Sequence, residues 1–183
     1  NTVATNYCRV SGTSMATPHA AGLAALLLAK NPALTNEQVR QILRRGATDL
    51  GTTGKDQDFG YGRIDAAASM NLAPGNPLAP VITSPTSRTL ISGASVNIVG
   101  TIPGANFSNY KVEIGTGRAP ASWTTVTTSS NQVINGTLAT LNTSTLNDGY
   151  YIVRITATDT GLKTYQFQVN DITVNNFNAE ITL

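Results

Sequence analysis

The chain has 183 residues, 40% of them hydrophobic and 12% charged, with a formal net charge of +2 and a single cysteine. That size allows one or two domains with a proper core. The small charge gives no case for nucleic acid or an anionic membrane, and one cysteine rules out an internal disulfide and any cysteine-based metal site. The longest apolar run, Ala20 to Ala29, is half of the about 20 residues needed to span a bilayer. The chain opens on Asn1 with no charged-then-apolar leader, so any secretion signal is expected on a portion that precedes it.

Asn6-Tyr7-Cys8-Arg9-Val10 reads as a short strand, with Cys8 as a buried structural thiol. It leads into Gly12-Thr13-Ser14-Met15-Ala16-Thr17-Pro18-His19-Ala20-Ala21-Gly22, a small-residue turn running into an apolar helix that continues to Lys30 and stops at Asn31-Pro32. With Ser14 at the N-cap, its hydroxyl is exposed and the first N–H groups of the helix have no intrahelical partner, so they can hold developing negative charge. Pro18 then falls in the first turn, where a missing N–H costs little. Leucine and alanine on every face mark the helix as an interior one.

Thr35 to Leu43 predicts a second helix, with a Thr35/Gln38 capping box and Val39, Ile42 and Leu43 on one buried face. Arg40, Arg44 and Arg45 sit on or just past it, where cations favour the C-terminal end of the dipole. Ala47-Thr48-Asp49 and Gly60-Tyr61-Gly62-Arg63-Ile64-Asp65-Ala66-Ala67 follow, the glycines permitting a tight bend. Asp56-Gln57-Asp58 offers two carboxylates, short of the six or more oxygens that calcium takes.

These segments, in this order, resemble the subtilisin-like serine proteases over roughly residues 1 to 72. The resemblance implies that Ser14 is the acyl-forming nucleophile and that its backbone N–H is one oxyanion donor. It also implies the order Asp, His, Ser, which places the triad aspartate, the triad histidine and the oxyanion-hole asparagine before residue 1. The one histidine, His19, lies five positions after Ser14, about 140° around the helix and about 7.5 Å along it, too far to act as its base. His19 therefore reads as structural. Gly12 to Ala16 also approximates the G-x-S-x-G elbow of α/β-hydrolases, but that order needs a histidine after the serine and none follows His19. The chain alone is expected to be inactive. No cofactor is identified, and calcium enters by family resemblance only.

Composition changes near Leu72. Ala73 to Pro80 carries three prolines and reads as a stiff linker. From Val81 onward the chain is rich in Thr, Ser and Asn and shows period-two runs at Val96-Asn97-Ile98, Tyr110 to Ile114, Tyr151 to Ile155 and Tyr165 to Val169, with turns at Asn147-Asp148-Gly149 and Asp159-Thr160-Gly161. Five basic residues (Arg88, Lys111, Arg118, Arg154, Lys163) balance five acidic ones (Glu113, Asp148, Asp159, Asp171, Glu180). About seven short strands in this stretch predict an antiparallel β-sandwich. It resembles the immunoglobulin- or fibronectin-like modules of secreted hydrolases, on Ser92-Gly93, Trp123 and Asn147 to Tyr151. Trp123 is read as a core residue between the sheets. Three sequons, at Asn106, Asn135 and Asn142, carry no conclusion.

The fold class expected is thus an α/β fragment, mostly helical here, plus an all-β antiparallel sandwich. The organisation is 1–72 peptidase fragment, 73–80 linker, 81–175 sandwich and 176–183 tail or start of a further module. The parent is expected to be an extracellular or cell-surface serine endopeptidase acting on protein or peptide, with an accessory module for a polymer, a cell surface or another domain. The competing reading is a non-catalytic extracellular binding module with a vestigial protease segment.

Overall fold

The computed structural model describes residues 10–177 and, for the backbone alone, a short antiparallel strand pair, β1 (Thr2–Ala4) and β2 (Tyr7–Cys8). The strand expected before Ser14 is therefore present, whereas the burial of Cys8 and the residues after Phe177 lie outside the described residues. The chain forms two compact units, Asn1–Asn76 and Pro77–Leu183.

Three helices lie in the first unit: α1 (Thr13–Lys30), α2 (Asn36–Gly46) and α3 (Ala66–Leu72). α2 begins where its local chemistry dictates. The Thr35 hydroxyl accepts from the Gln38 N–H at 3.3 Å and the Gln38 side chain accepts from the Thr35 N–H at 2.9 Å, so two N–H groups that the helix leaves open are satisfied reciprocally. Val39 and Ile42 then turn into a core with Leu23, Leu27, Leu34 and Ala73. Asp65 caps α3 through the Ala68 N–H at 2.9 Å. α1 differs from its expected interior setting: only Leu23 and Leu27 are buried, and Leu26 and Leu28 remain 54% and 40% exposed. Helices α2 and α3 cover one side of α1 and nothing else among the described residues of this unit covers the other.

Between α2 and α3 the chain doubles back through a bridge that pairs Thr48 with Arg63. Gly62 makes this possible. Its φ is +101°, and a Cβ there would stand 2.1 Å from the Thr48 carbonyl oxygen. Gly62→Ala is expected to destabilise this unit by about 2 kcal/mol or more, since it combines a left-handed backbone with a backbone clash. Thermal unfolding followed by helical circular dichroism checks this; an unchanged midpoint contradicts it.

The second unit is built from eight strands: β3 (Val81–Ser84), β4 (Leu90–Ile91), β5 (Val96–Thr101), β6 (Phe107–Thr116), β7 (Thr124–Ser129), β8 (Gly136–Leu141), β9 (Gly149–Asp159) and β10 (Thr164–Val174). They form a five-stranded sheet in the order β4-β10-β9-β6-β7 and a three-stranded sheet in the order β3-β5-β8. The alternating residues behave as period two requires: Val112 and Ile114 of β6 pair with Ile155 and Val153 of β9, and all four are buried in one core with Ile98, Leu138, Tyr165 and Val174. This is a β-sandwich.

Two expectations are corrected. The sandwich is not antiparallel throughout, because β4 runs parallel to β10, with Leu90 beside Thr173 and Ile91 beside Val174. The chain crosses from the small sheet to the large one between β3 and β4, and so joins the edge of the large sheet in the same direction as the last strand. Trp123 is not a core residue between the sheets. It is half-buried just before edge strand β7, with the Arg154 guanidinium carbon 3.8 Å from its ring centre. Glu113 and Gly115 alternate with the core residues Val112 and Ile114 and so face outward; a Cβ on Gly115 would meet Pro120 at 2.5 Å and Trp123 at 3.1 Å. The absent side chain lets Pro120 and Trp123 lie on the outer surface of the large sheet.

Candidate active site

Ser14 sits at the start of α1, but not at its cap. The N-cap is Gly12, with φ 152° and ψ 169°, and Ser14 is the second helical residue. The sequence reading put Ser14 at the cap because serine is a favoured cap residue; the backbone instead uses the glycine, whose φ other residues rarely adopt. This shift has chemical consequences. The Gly12 carbonyl accepts from the N–H groups of Met15 at 3.0 Å and Ala16 at 3.2 Å. Glycine brings no side chain to cap the helix, so among the described residues the N–H groups of Thr13 and Ser14 have no partner. Two open donors at the positive end of an 18-residue helix stand beside an exposed hydroxyl.

Pro18 is corrected with it. It lies in the second turn, inside the helix, where it supplies no N–H to the Ser14 carbonyl. The Ser14 N–H thus has no intrahelical acceptor, and its carbonyl lacks the donor that residue i+4 normally supplies. The Thr17 hydroxyl donates to the Thr13 carbonyl at 2.9 Å, which ties down the side chain one turn further on.

His19 is held by its own helix, its Nδ1 donating to the Met15 carbonyl at 2.7 Å. A ring fixed in this way, five residues from Ser14 on one helix, does not meet the Ser14 hydroxyl. It is the chain's one histidine, so the described residues bring no imidazole base to Ser14.

The carboxylates of the 47–63 loop serve its backbone. Asp56 accepts from the N–H groups of Thr52 at 3.1 Å and Phe59 at 2.6 Å, and Asp49 accepts from Gly54 at 2.8 Å. Asp58 adds no third ligand, and the described residues contain no cluster of three or more metal-binding side chains. Tyr61 carries the Arg44 guanidinium 4.9 Å and the Lys55 ammonium 5.8 Å from its ring centre. Burial, and behind it the charge of Arg44, hold Lys55 below the usual lysine range. Arg44 also reaches Glu37 at 3.5 Å, and Arg40 pairs with the same carboxylate, so these arginines neutralise a buried acid as well as facing the helix end.

Sequence reasoning missed one group, on the sandwich. Glu113 is buried on the outer face of the large sheet, between Lys111 Nζ at 2.7 Å and Arg154, whose Nε and Nη2 lie 3.0 and 2.7 Å from its carboxylate. The signal available was the short distance in sequence between Lys111 and Glu113, two positions apart and so on one face of a strand.

Residues 1–62 match the subtilase family of peptidases. Over 62 residues the chain is 55% identical to the minor extracellular protease Epr of Bacillus subtilis (strain 168), covering 34% of this chain and 10% of that protein. It is 48% identical over 63 residues to subtilisin Savinase of Lederbergia lenta, covering 34% of this chain and 22% of that protein. It is also 42% identical over 65 residues to the extracellular serine protease of Serratia marcescens, covering 36% of this chain and 6% of that protein. The chain thus spans less than a quarter of the length of each of these relatives. No helix among the described residues is long and apolar enough to cross a membrane. Residues 1–62 of the N-terminal unit thus resemble the subtilisin-like serine proteases of the subtilase family, and a β-sandwich module follows them in the same chain.

Proposed function

We propose that the chain is part of a secreted serine endopeptidase in which Ser14 attacks the scissile peptide carbonyl. The observation that carries this reading is the exposed Ser14 hydroxyl beside its own open N–H, at the start of a helix whose cap has no side chain to occupy that donor. In the reaction Ser14 Oγ bonds to the carbonyl carbon, its proton passes to a histidine base, and the oxygen that gains negative charge is held by the Ser14 N–H. The amine leaves with that proton and the acyl group stays on Ser14 until water releases it.

His19 is not that base. The family order puts the catalytic aspartate, then the histidine, ahead of the serine, so in the parent enzyme both precede Asn1, as does the oxyanion-hole asparagine. The polypeptide of 183 residues is inactive on its own. Residues 1–72 form the peptidase fragment, 73–80 the linker and 81–175 the accessory module, with 176–183 a tail or the start of another module. The relatives named as extracellular support an extracellular location, and the module's partner is a polymer, a cell surface or another domain.

Serine-directed fluorophosphonate labelling tests this reading. Labelling at Ser14 only in a longer product of the same gene establishes the protease, whereas no labelling of either form favours a binding module with a vestigial protease segment. Labelling of the short chain contradicts its inactivity.

The apolar surface on α1 leads to a second expectation. Six buried residues form the core of the first unit among the described residues, against nineteen in the sandwich. Limited proteolysis of the short chain is expected to digest residues 1–72 and leave 81–175 as a resistant core, because exposed helix faces over a small core open readily. A resistant N-terminal fragment contradicts this.

A further inference from the structure

Residues 130–135 connect β7 to β8 and end in Asn135-Gly136, the one Asn-Gly pair in the sequence. Hydrogen bonds hold this connection as far as Val133: its carbonyl accepts from the Ile102 N–H at 2.8 Å, and the Gln132 amide donates to the carbonyls of Ile102 at 2.8 Å and Gly104 at 3.0 Å. Ile134 and Asn135, which follow, are exposed. Asn135 takes a left-handed φ of 51°, and its carboxamide has no hydrogen-bond partner among the described residues. Three other asparagines at turns or element ends are tied down. Asn142 accepts from the Ser144 N–H at 3.0 Å, Asn31 donates to the Ala73 carbonyl at 3.0 Å, and Asn176 donates to the carbonyls of Thr143 at 2.7 Å and Leu146 at 3.1 Å.

We propose that Asn135-Gly136 is a site of spontaneous covalent modification, at which the asparagine converts to aspartate and isoaspartate in the folded protein. The carboxamide is free to turn onto the next residue, and that residue has no side chain to block its own amide nitrogen. The Gly136 nitrogen loses its proton to solvent and attacks Asn135 Cγ; the new Cγ–N bond forms as the Cγ–NH2 bond breaks, and ammonia leaves. The resulting five-membered imide is opened by one water molecule at either of its two carbonyls. The first opening leaves a side-chain carboxylate on a normal backbone, and the second routes the backbone through the side chain. Nothing is oxidised or reduced; one amide and one water become one carboxylate and one ammonium.

The position gives the reaction a structural consequence. β8 is an edge strand whose ladder to β5 starts at Gly136 opposite Gly100, followed by Thr137 opposite Val99. A lengthened backbone just before Gly136 displaces the start of that register, and the new negative charge sits beside it. The Asn135 carboxamide nitrogen, which leaves as ammonia, is also the acceptor atom of the sequon Asn135-Gly136-Thr137, so a glycan there and this conversion exclude each other.

The test is incubation of the folded full chain at mildly alkaline pH, followed by digestion and fragment-ion mass spectrometry, with isoaspartyl methyltransferase labelling to count the rearranged product. The expected result is the mass change of NH2 to OH at position 135 before any other asparagine, with methyl labelling at the same position. Asn135→Gln should abolish both. Gly136→Ala should slow them severalfold; the added Cβ meets Val133 Cγ1 at 3.2 Å, so the Val133 side chain has to yield slightly, and no backbone atom stands closer than 4.0 Å. A folded chain that stays unmodified at 135 while the urea-unfolded chain converts there overturns the proposal, as does earlier conversion at another asparagine.

Discussion

Ser14→Ala is expected to abolish fluorophosphonate labelling of the longer gene product and to lower its peptidase kcat by about 10^6-fold, the scale set by removal of the nucleophile in subtilisin itself. The effect is this large because the hydroxyl is the atom that forms the acyl bond, and no neighbouring group replaces it: Thr13 and Thr17 flank it on the same helix, but the Thr17 hydroxyl is engaged with the Thr13 carbonyl. The residual rate comes from the N–H donors, which the substitution leaves in place because Gly12 and not Ser14 caps the helix. Substrate affinity should therefore change little, and kcat should carry nearly all of the loss. Gly12→Ala is the informative companion. It keeps the hydroxyl but strains a φ of 152°, so the donors move and the rate falls although Ser14 is intact. If Ser14→Ala retains labelling at another residue, or its kcat falls by less than about tenfold, Ser14 is not the nucleophile.

The legible parts of this chain are those governed by short-range chemistry. α2 starts at the Thr35/Gln38 box because both hydrogen bonds close within four residues. Val112, Ile114, Val153 and Ile155 face the core because alternation alone sorts the two faces of a strand. Gly62 was readable as a bend, although the Thr48 carbonyl that excludes a side chain there is supplied by the opposite arm of the bridge. The serine turn was readable from its residues, while its cap was misplaced by two positions: cap preference rewards the side chain of Ser14, and the fold uses the conformational freedom of Gly12. Trp123 went wrong for a longer-range reason. A lone tryptophan reads as core unless the empty site at Gly115, in another strand, is known to lie beneath it. The parallel edge pair of β4 and β10 joins residues far apart in sequence and leaves no local mark. The same distance hid the Glu113 cluster, since Glu113 and Arg154 stand opposite each other only once the β6–β9 register is set.

Glu113→Gln is expected to destabilise the sandwich by roughly 2 kcal/mol at neutral pH and to remove part of its acid sensitivity. A fully buried ion pair broken on one side costs about 3–5 kcal/mol; here the Lys111 side chain is 43% exposed and recovers hydration, so the cost falls below that range. Arg154 is the partner that suffers. Its side chain is 20% exposed and stacked on Trp123, and without Glu113 it keeps its charge with the cation–π contact alone. Burial by itself pushes the Glu113 carboxyl up, but the hydrogen bonds from Lys111 and Arg154, together with their charges, outweigh it and hold the group below its ordinary value. A carboxylate whose pKa is depressed by folding adds stability that is complete above its unfolded value, about 4.3, and is lost as pH falls toward and through the lower folded value. The parent sandwich should therefore weaken below about pH 4 with a contribution from this group, and the Gln variant, already without the charge, should show a shallower acid limb. Trp123 is the chain's one tryptophan and lies in the sandwich, so its fluorescence during urea unfolding reports this unit alone. Equal midpoints for parent and variant at neutral pH, or identical acid limbs, would mean that the cluster is solvated in solution and that Trp123 holds Arg154 without help from Glu113.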